Sequence, residues 1–241
     1  MTGSKNIAVV ILNWNGAKYL KQFLPSVIAH SQEADVIVVD NCSTDASVQF
    51  LDQEFPSVQT IVLDKNYGFA EGYNRGLKHL NYEYFVLLNS DVEVPENWLA
   101  PQISYLNSDP LLVACAPLIL SHAEPNCFEY AGAAGGYLDK DGFAFCAGRI
   151  FYAFEKNEGQ YNSNREVFWA SGAALTIKAS AWKEVNGFDG TFFAHMEEID
   201  LCWRLKNRGY KIGVCGEASV FHIGGGTLDR QSAFKTYLNF R

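Results

Sequence analysis

Four short runs, rich in apolar and β-branched residues, constrain this chain most: Ile7 to Leu12, Val36 to Val39, Gln59 to Leu63 and Tyr84 to Leu88. Each is bounded by polar residues and too short for a buried helix, so each predicts a buried strand. Between them lie segments of helical length, Ala17 to His30 and Gly68 to Leu80, the latter a loop entering a helix. This alternation implies a parallel sheet with right-handed crossovers. Three of the runs end in polar clusters: Asn13/Asn15, Asp40/Asn41 and Asn89/Asp91. Parallel strands share direction, so the clusters gather along one sheet edge, where open α/β sheets bind ligands.

The pattern changes further on. From about Pro117 to Arg165 the chain is rich in Gly, aromatics and short strand-like pieces, and reads as a more irregular, mixed-sheet layer. Phe168 to Lys178 predicts an apolar strand and Ser180 to Val185 a short helix. A longer helix follows over Glu197 to Arg208, with Gly209 closing it. Two further strands are expected, Lys211 to Cys215 and Ala218 to His222. Ser43 or Thr44 is expected to cap the helix after the second strand. No repeat or interdomain linker interrupts the 241 residues, so a single α/β domain is expected.

With 48% hydrophobic and 19% charged residues, the chain can bury a substantial core. A net charge of -8 argues against nucleic acid as a partner, though not against a nucleotide neutralised by a cation. The six cysteines form no CxxC pair, which reads as buried reduced thiols in a cytosolic protein. Met1 to Asn6 leads straight into a strand pattern, unlike a signal peptide, and no apolar stretch spans a bilayer. Ala233 to Arg241 begins an amphipathic helical pattern without a cap, so a longer parent protein is expected.

The polar clusters carry the candidate chemistry. Asn89-Ser90-Asp91 is ordinary turn chemistry by itself. Just past a strand's carboxyl end, it also suits a hard cation that bridges a carboxylate to substrate phosphates, Mg2+ or Mn2+. Asp40 reads either as an Asx-turn residue or as an acceptor for the imide N–H of uracil or thymine. The Lys65 to Gly76 loop presents backbone N–H groups and Arg75 to an anion, or is simply a glycine turn. Glu197, Glu198 and Asp200 fall in the first turn of a helix, where acids favour the dipole. The aromatic, glycine-rich stretch before them resembles a pocket wall, which would raise a carboxylate's pKa toward that of a useful base. His222 ends a strand before Gly224-Gly225-Gly226, a run that admits close approach of a diphosphate.

Taken together and in order, these segments resemble the family 2 inverting glycosyltransferases of GT-A fold, in their rhamnosyltransferase-like branch. The matching segments are Val10 to Asn15, Val38 to Asp45, Asn66 to Ala70 with Asn74-Arg75-Gly76, Leu87 to Asp91, Gly187-Phe188-Asp189, Glu197 to Arg204 and His222 to Gly225. The resemblance implies one GT-A domain: a Rossmann-like, mostly parallel sheet flanked by helices, with a mixed-sheet acceptor-side extension. Residues 1 to about 116 would form the nucleotide-binding half and about 117 to 241 the acceptor-binding half.

It also implies roles. Asn13, Asn15, Asp40, Asn41, Asn66, Gly68, Asn74, Arg75, Asn89 and Ser90 would line the nucleotide site. Asp91 would bind the metal, Mn2+ or Mg2+, with His222 as a further contact. Asn89 stands where the family's DxD motif has its first acid and would coordinate through its carbonyl oxygen or a water. Glu198 would be the catalytic base, with Glu197 the runner-up. Trp169, Ser171, Gly172 and Asp200 would line the sugar and acceptor pocket. The implied donor is dTDP-rhamnose or a UDP-hexose. The implied acceptor is a growing, lipid-linked surface glycan at the inner face of the cytoplasmic membrane, with peripheral membrane association. A catalytically silent sugar-nucleotide-binding module is the first alternative. A nucleotidyltransferase ranks lower, because Asn13-Trp14-Asn15-Gly16 lacks a basic triphosphate loop. A dehydrogenase ranks lower still, without GxGxxG after the first strand.

Overall fold

The computed structural model describes residues 5–130, 132–151 and 153–224. The first half alternates as expected: β1 (Ile7–Asn13), α1 (Ala17–His30), β2 (Asp35–Asp40), α2 (Ser47–Glu54), β3 (Gln59–Val62), α3 (Gly68–Leu77) and β4 (Tyr84–Asn89). Then come β5 (Val92–Glu93), α4 (Ala100–Ser108) and the long β6 (Leu112–Ser121). Short pieces follow: β7 (Gly136–Leu138), β8 (Ala144–Cys146), β9 (Arg149–Ile150), β10 (Ala153–Phe154) and β11 (Arg165–Val167). The last described elements are β12 (Ala174–Lys178), α5 (Ala179–Glu184), α6 (Glu197–Lys206) and β13 (Lys211–His222).

One sheet organises the molecule, in the order β11-β13-β6-β12-β4-β1-β2-β3, with β5 on β13. Strands β1 to β4 are mutually parallel, and β12 runs antiparallel to both β4 and β6. It follows that β6, and β13 parallel to it, point the same way as β1, β2 and β4. The carboxyl ends of six strands therefore share one edge. Register places Asn13 opposite Asp40 and Leu12 opposite Asn89 there. His222 ends β13 on the same edge, paired with Val92, next to Asp91.

Alternation along the strands divides the core. Val9, Ile11, Val86 and Leu88 face α1, α2 and α4 through Leu20, Leu24, Leu51 and Leu106. Val10, Phe85 and Leu87 pack on the opposite face with Tyr73, Trp182, Leu201 and Leu205 of α3, α5 and α6. Both sheet faces are covered, which explains the near-continuous apolar strands.

Five expectations are corrected. Pro117 does not open an irregular layer; it lies inside β6. Proline removes a ladder donor, and β13 answers with a register shift between Cys215 and Ser219, opposite Pro117 and Leu118. Lys211 to Cys215 and Ala218 to His222 are accordingly one bulged strand. Phe168 to Lys178 is not one strand. Phe168 and Trp169 bond through their backbones to Gly136, leaving 168–173 as an irregular bridge before β12. Ser43 and Thr44 do not cap α2, which starts at Ser47; the Ser43 hydroxyl donates to Asp40 and the Thr44 N–H to Asn15. The longer helix ends at Lys206, and Gly209 at φ +83° turns the chain toward β13.

Gly136 admits no side chain, because a Cβ there would overlap the Trp169 indole. The indole is held by its Nε1–H donating to the Tyr137 carbonyl at 3.1 Å, so it has little room to yield. Gly136→Ala is expected to lower stability by about 1–3 kcal/mol, the range for overpacking, read as a lower urea midpoint.

Candidate active site

Asp40 is fully buried. Its Oδ2 accepts from Asn13 Nδ2 at 2.8 Å and the Ser43 hydroxyl at 2.7 Å, and its Oδ1 from the Ser43 N–H at 2.8 Å. Asn15, with φ 50°, accepts from the Thr44 N–H at 2.7 Å and the Asp45 N–H at 3.2 Å. These bonds lock the two loops that follow β1 and β2. They also fix the orientation of the Asn13 amide, whose Oδ1 is buried without a hydrogen-bond partner. A Cβ on Gly16 would overlap that oxygen. An orphaned acceptor at the carboxyl edge of a sheet is a place for a donor from a ligand.

The next predicted residues brace loops. Asn41 Nδ2 donates to Asn66 Oδ1 at 3.0 Å and to the Gly68 carbonyl at 2.8 Å, while its Oδ1 accepts from the Tyr67 N–H at 2.9 Å. Gly68, at φ +76°, sits against Phe193, and the Phe69 N–H donates to the Phe193 carbonyl at 2.6 Å. Asn74 exchanges both backbone bonds with Phe188, at 2.9 and 3.0 Å. Arg75 pairs with Glu71 at 2.8 Å and stacks on Tyr67 at 3.8 Å. Together they tie the start of α3 to the loop that leads into α6.

That loop delivers two acids. His195 and Met196 both take left-handed φ, 71° and 70°, and swing the chain into α6. Glu197 is buried and Glu198 half-buried in the first helical turn, each with one carboxyl oxygen buried and lacking a hydrogen-bond partner. Burial pushes both carboxyls up, Glu197 furthest because the Glu198 charge adds to it. Asp200 differs: Arg204 holds it at 2.7 Å and donates onward to the Val185 carbonyl at 2.8 Å.

The irregular bridge brings Glu198 to the sheet edge. A Cβ on Gly172 would stand 3.6 Å from Glu198 Cβ and 3.7 Å from the Phe69 ring, in ordinary contact, so the glycine leaves a methyl-sized space beside Glu198. One residue on, the Ala173 carbonyl accepts from the Asn89 N–H at 3.0 Å. Ser171 is buried beside Gly132, and Trp169 lies on Gly136. Trp169, Ser171 and Gly172 thus lie on the segment joining the α6 acids to the end of β4.

At that end Asn89 and Ser90 are half-buried and Asp91 is buried. His222 Nε2 stands 3.2 Å from Asp91 Oδ1, and its Nδ1 stands 3.2 Å from Oε2 of Glu129, also buried. Burial alone would depress the imidazole. The two carboxylates outweigh it and raise the pKa to about 9. Glu129 is a site residue that sequence reading missed. Its only signal was a lone acid between Phe128 and Tyr130 in an apolar, glycine-rich stretch.

Residues 8–204 match the sequence profile of glycosyl transferase family 2. The chain belongs to that family. It is 25% identical over 231 residues to the N-acetylglucosaminyl-diphospho-decaprenol L-rhamnosyltransferase of Mycobacterium tuberculosis, covering 90% of this chain and 75% of the relative. It is 24% identical over 213 residues to rhamnosyltransferase WbbL of Escherichia coli K12, covering 86% of this chain and 79% of the relative. Among solved structures, GalNAc-T7 crystallised with UDP, GalNAc and Mn2+ matches with a TM-score of 0.70 at 16% identity, over 92% of this chain and 44% of that one. The fold is GT-A, and the chain is a nucleotide-sugar glycosyltransferase of glycan biosynthesis. Among the described residues no helix is long and apolar enough to cross a membrane.

Proposed function

We propose that this domain transfers a sugar from a nucleoside diphosphate, dTDP-rhamnose or a UDP-hexose, to a hydroxyl of a lipid-linked glycan with inversion at the anomeric carbon. The observation that carries the reading is the Glu197–Glu198 pair at the start of α6, the first buried and the second half-buried. It lies beside Gly172, whose missing side chain leaves a methyl-sized space, on the bridge from the Asp91–His222 edge.

An acceptor hydroxyl attacks only as a base removes its proton in the transition state. Glu198, half-buried beside Gly172, takes that proton. Glu197 is the harder of the two to ionise, because burial and the neighbouring Glu198 charge disfavour its anion. The nucleoside diphosphate leaves from the opposite ring face, so a single displacement inverts the centre. Residues 1–116 would hold the nucleotide and 117–241 the acceptor. Asn13 Oδ1, which has no hydrogen-bond partner, would accept from a base N–H, with Asp40 and Asn15 fixing its loop. Asn41, Asn66, Gly68, Asn74 and Arg75 serve that site by bracing its walls.

The donors present fit a divalent cation held by Asp91 and His222, with Asn89 next to them. Carboxylate plus imidazole suits Mn2+ better than Mg2+, which takes oxygen almost alone. Among the described residues no three His, Cys, Asp or Glu side chains form a metal cluster, so phosphate and water would complete the shell. A bound cation would supply positive charge for the diphosphate as it departs.

The M. tuberculosis relative is named for an acceptor on decaprenol diphosphate. Exposed Phe143, Ile150 and Phe151 in the acceptor half, 69, 70 and 84% accessible, agree with work beside a lipid surface at the inner face of the membrane.

Glu197→Gln tests the pair. Gln reproduces a protonated carboxyl, so kcat/KM in a sugar-transfer assay is expected to stay within about tenfold of the original, since the base itself remains. Raised carboxyls favour folding below the ordinary 4.5 and lose that contribution as pH rises through their elevated values. The variant should therefore gain melting temperature relative to the unmodified chain at pH 8 more than at pH 5. A total loss of transfer would make Glu197 the base instead.

A further inference from the structure

The segment Cys127 to Glu129 lies against the carboxyl end of β6. The Ser121 N–H donates to the Cys127 carbonyl at 2.9 Å and the Glu129 N–H to the Ile119 carbonyl at 3.0 Å. Leu120 and Phe128 form an antiparallel bridge between these bonds. Side chains alternate along a strand, so Glu129 shares the face of Ile119 and Ser121. On the other side of β6, His222 is in register with Ser121 and shares that face too. Glu129 and His222 therefore meet over β6, 93 residues apart in sequence.

The meeting is buried and directional. Glu129 is 3% exposed and His222 5%. Glu129 Oε2 faces Nδ1, while Nε2 faces Asp91 Oδ1. An imidazole whose Nδ1 carries its proton toward a carboxylate offers its lone pair on Nε2, and this arrangement recurs behind metal-bound histidines. Phe128 anchors the segment: it is buried, and its ring lies against Gly148 and Tyr161, which limits the freedom of Glu129 to turn away.

We propose that Glu129 is a positioning residue for metal binding: it fixes the tautomer and orientation of His222 so that Nε2 is presented beside Asp91. This rests on the proposed cation site. Glu129 does not touch the cation; it acts through the ring.

Mn2+ is titrated into the unmodified chain, Glu129→Gln, Glu129→Met and His222→Asn, alone and with UDP, and free Mn2+ is read by electron paramagnetic resonance. Glu129→Gln keeps the shape but loses the charge. It is expected to weaken Mn2+ binding on the order of 10- to 100-fold, the usual loss for such outer partners. Glu129→Met should weaken it at least as much. In a His222→Asn background, Glu129→Gln should add almost nothing, because its effect passes through the missing ring. A merely structural role would lower the melting temperature and leave the Mn2+ affinity alone. Folded Glu129→Gln that binds Mn2+ within twofold of the unmodified chain overturns the inference. So does an equal loss with and without His222. If the unmodified chain itself binds no Mn2+, the cation site fails and this inference fails with it; the unmodified curve tells the two failures apart.

Discussion

Glu198→Gln is expected to lower kcat/KM for sugar transfer by about 10²–10⁴-fold, the usual contribution of a general base. Nucleotide affinity and melting temperature should stay close to those of the unmodified chain. Gln occupies the same volume and can donate or accept hydrogen bonds, but it cannot take a proton from an attacking hydroxyl. Glu198 has one buried oxygen without a hydrogen-bond partner, and the backbone bonds it draws, at Glu198 and Ile199, can also be made to a Gln carbonyl. Its raised carboxyl also sets the pH profile. Transfer needs the anion, so the acid limb of kcat/KM should lie above the ordinary glutamate value of 4.5. Steady-state kinetics from pH 5 to 8 on both proteins check this. Unchanged transfer by the variant would leave a catalytically silent module or another base.

Asp91→Asn is expected to reduce metal-dependent nucleotide binding by about 100-fold or more, since losing an outer partner alone removes 10- to 100-fold. The fold should tolerate the change. Without a cation, Asp91 and Glu129 place two buried carboxylates around one imidazole. Asn keeps a hydrogen-bonding group toward Nε2 and removes one of those buried charges, so stability is expected to change by less than about 1 kcal/mol. A large affinity loss at nearly constant melting temperature marks a residue kept for its ligand. Parallel loss of both would mark a structural ion pair.

Particular residues show what the sequence makes legible. The runs at Ile7, Val36 and Tyr84 announce strands because local sterics and burial act on the same few residues, and the acids beyond them follow from strand direction. The bulge in β13 was hidden because it answers Pro117, a residue on another strand. The break at 168–173 was hidden because its backbone partner, Gly136, is more than thirty residues away. Glu129 was hidden for the same reason, its imidazole partner being 93 residues distant. Asn41, Asn66 and Asn74 illustrate a different limit. A side-chain amide that grips a loop and one that grips a nucleotide are the same chemical group, and only the bonds to Gly68, Tyr67 and Phe188 reveal the first use.

The measurement that bears most directly on the account is calorimetric titration of the purified chain and Asp91→Asn with UDP, dTDP and GDP, each with and without Mn2+. UDP or dTDP is expected to bind the unmodified chain, more tightly with Mn2+, and the Mn2+ gain is expected to disappear in Asp91→Asn. A folded chain that binds none of the three, or binds them equally well without Mn2+ and without Asp91, would contradict it.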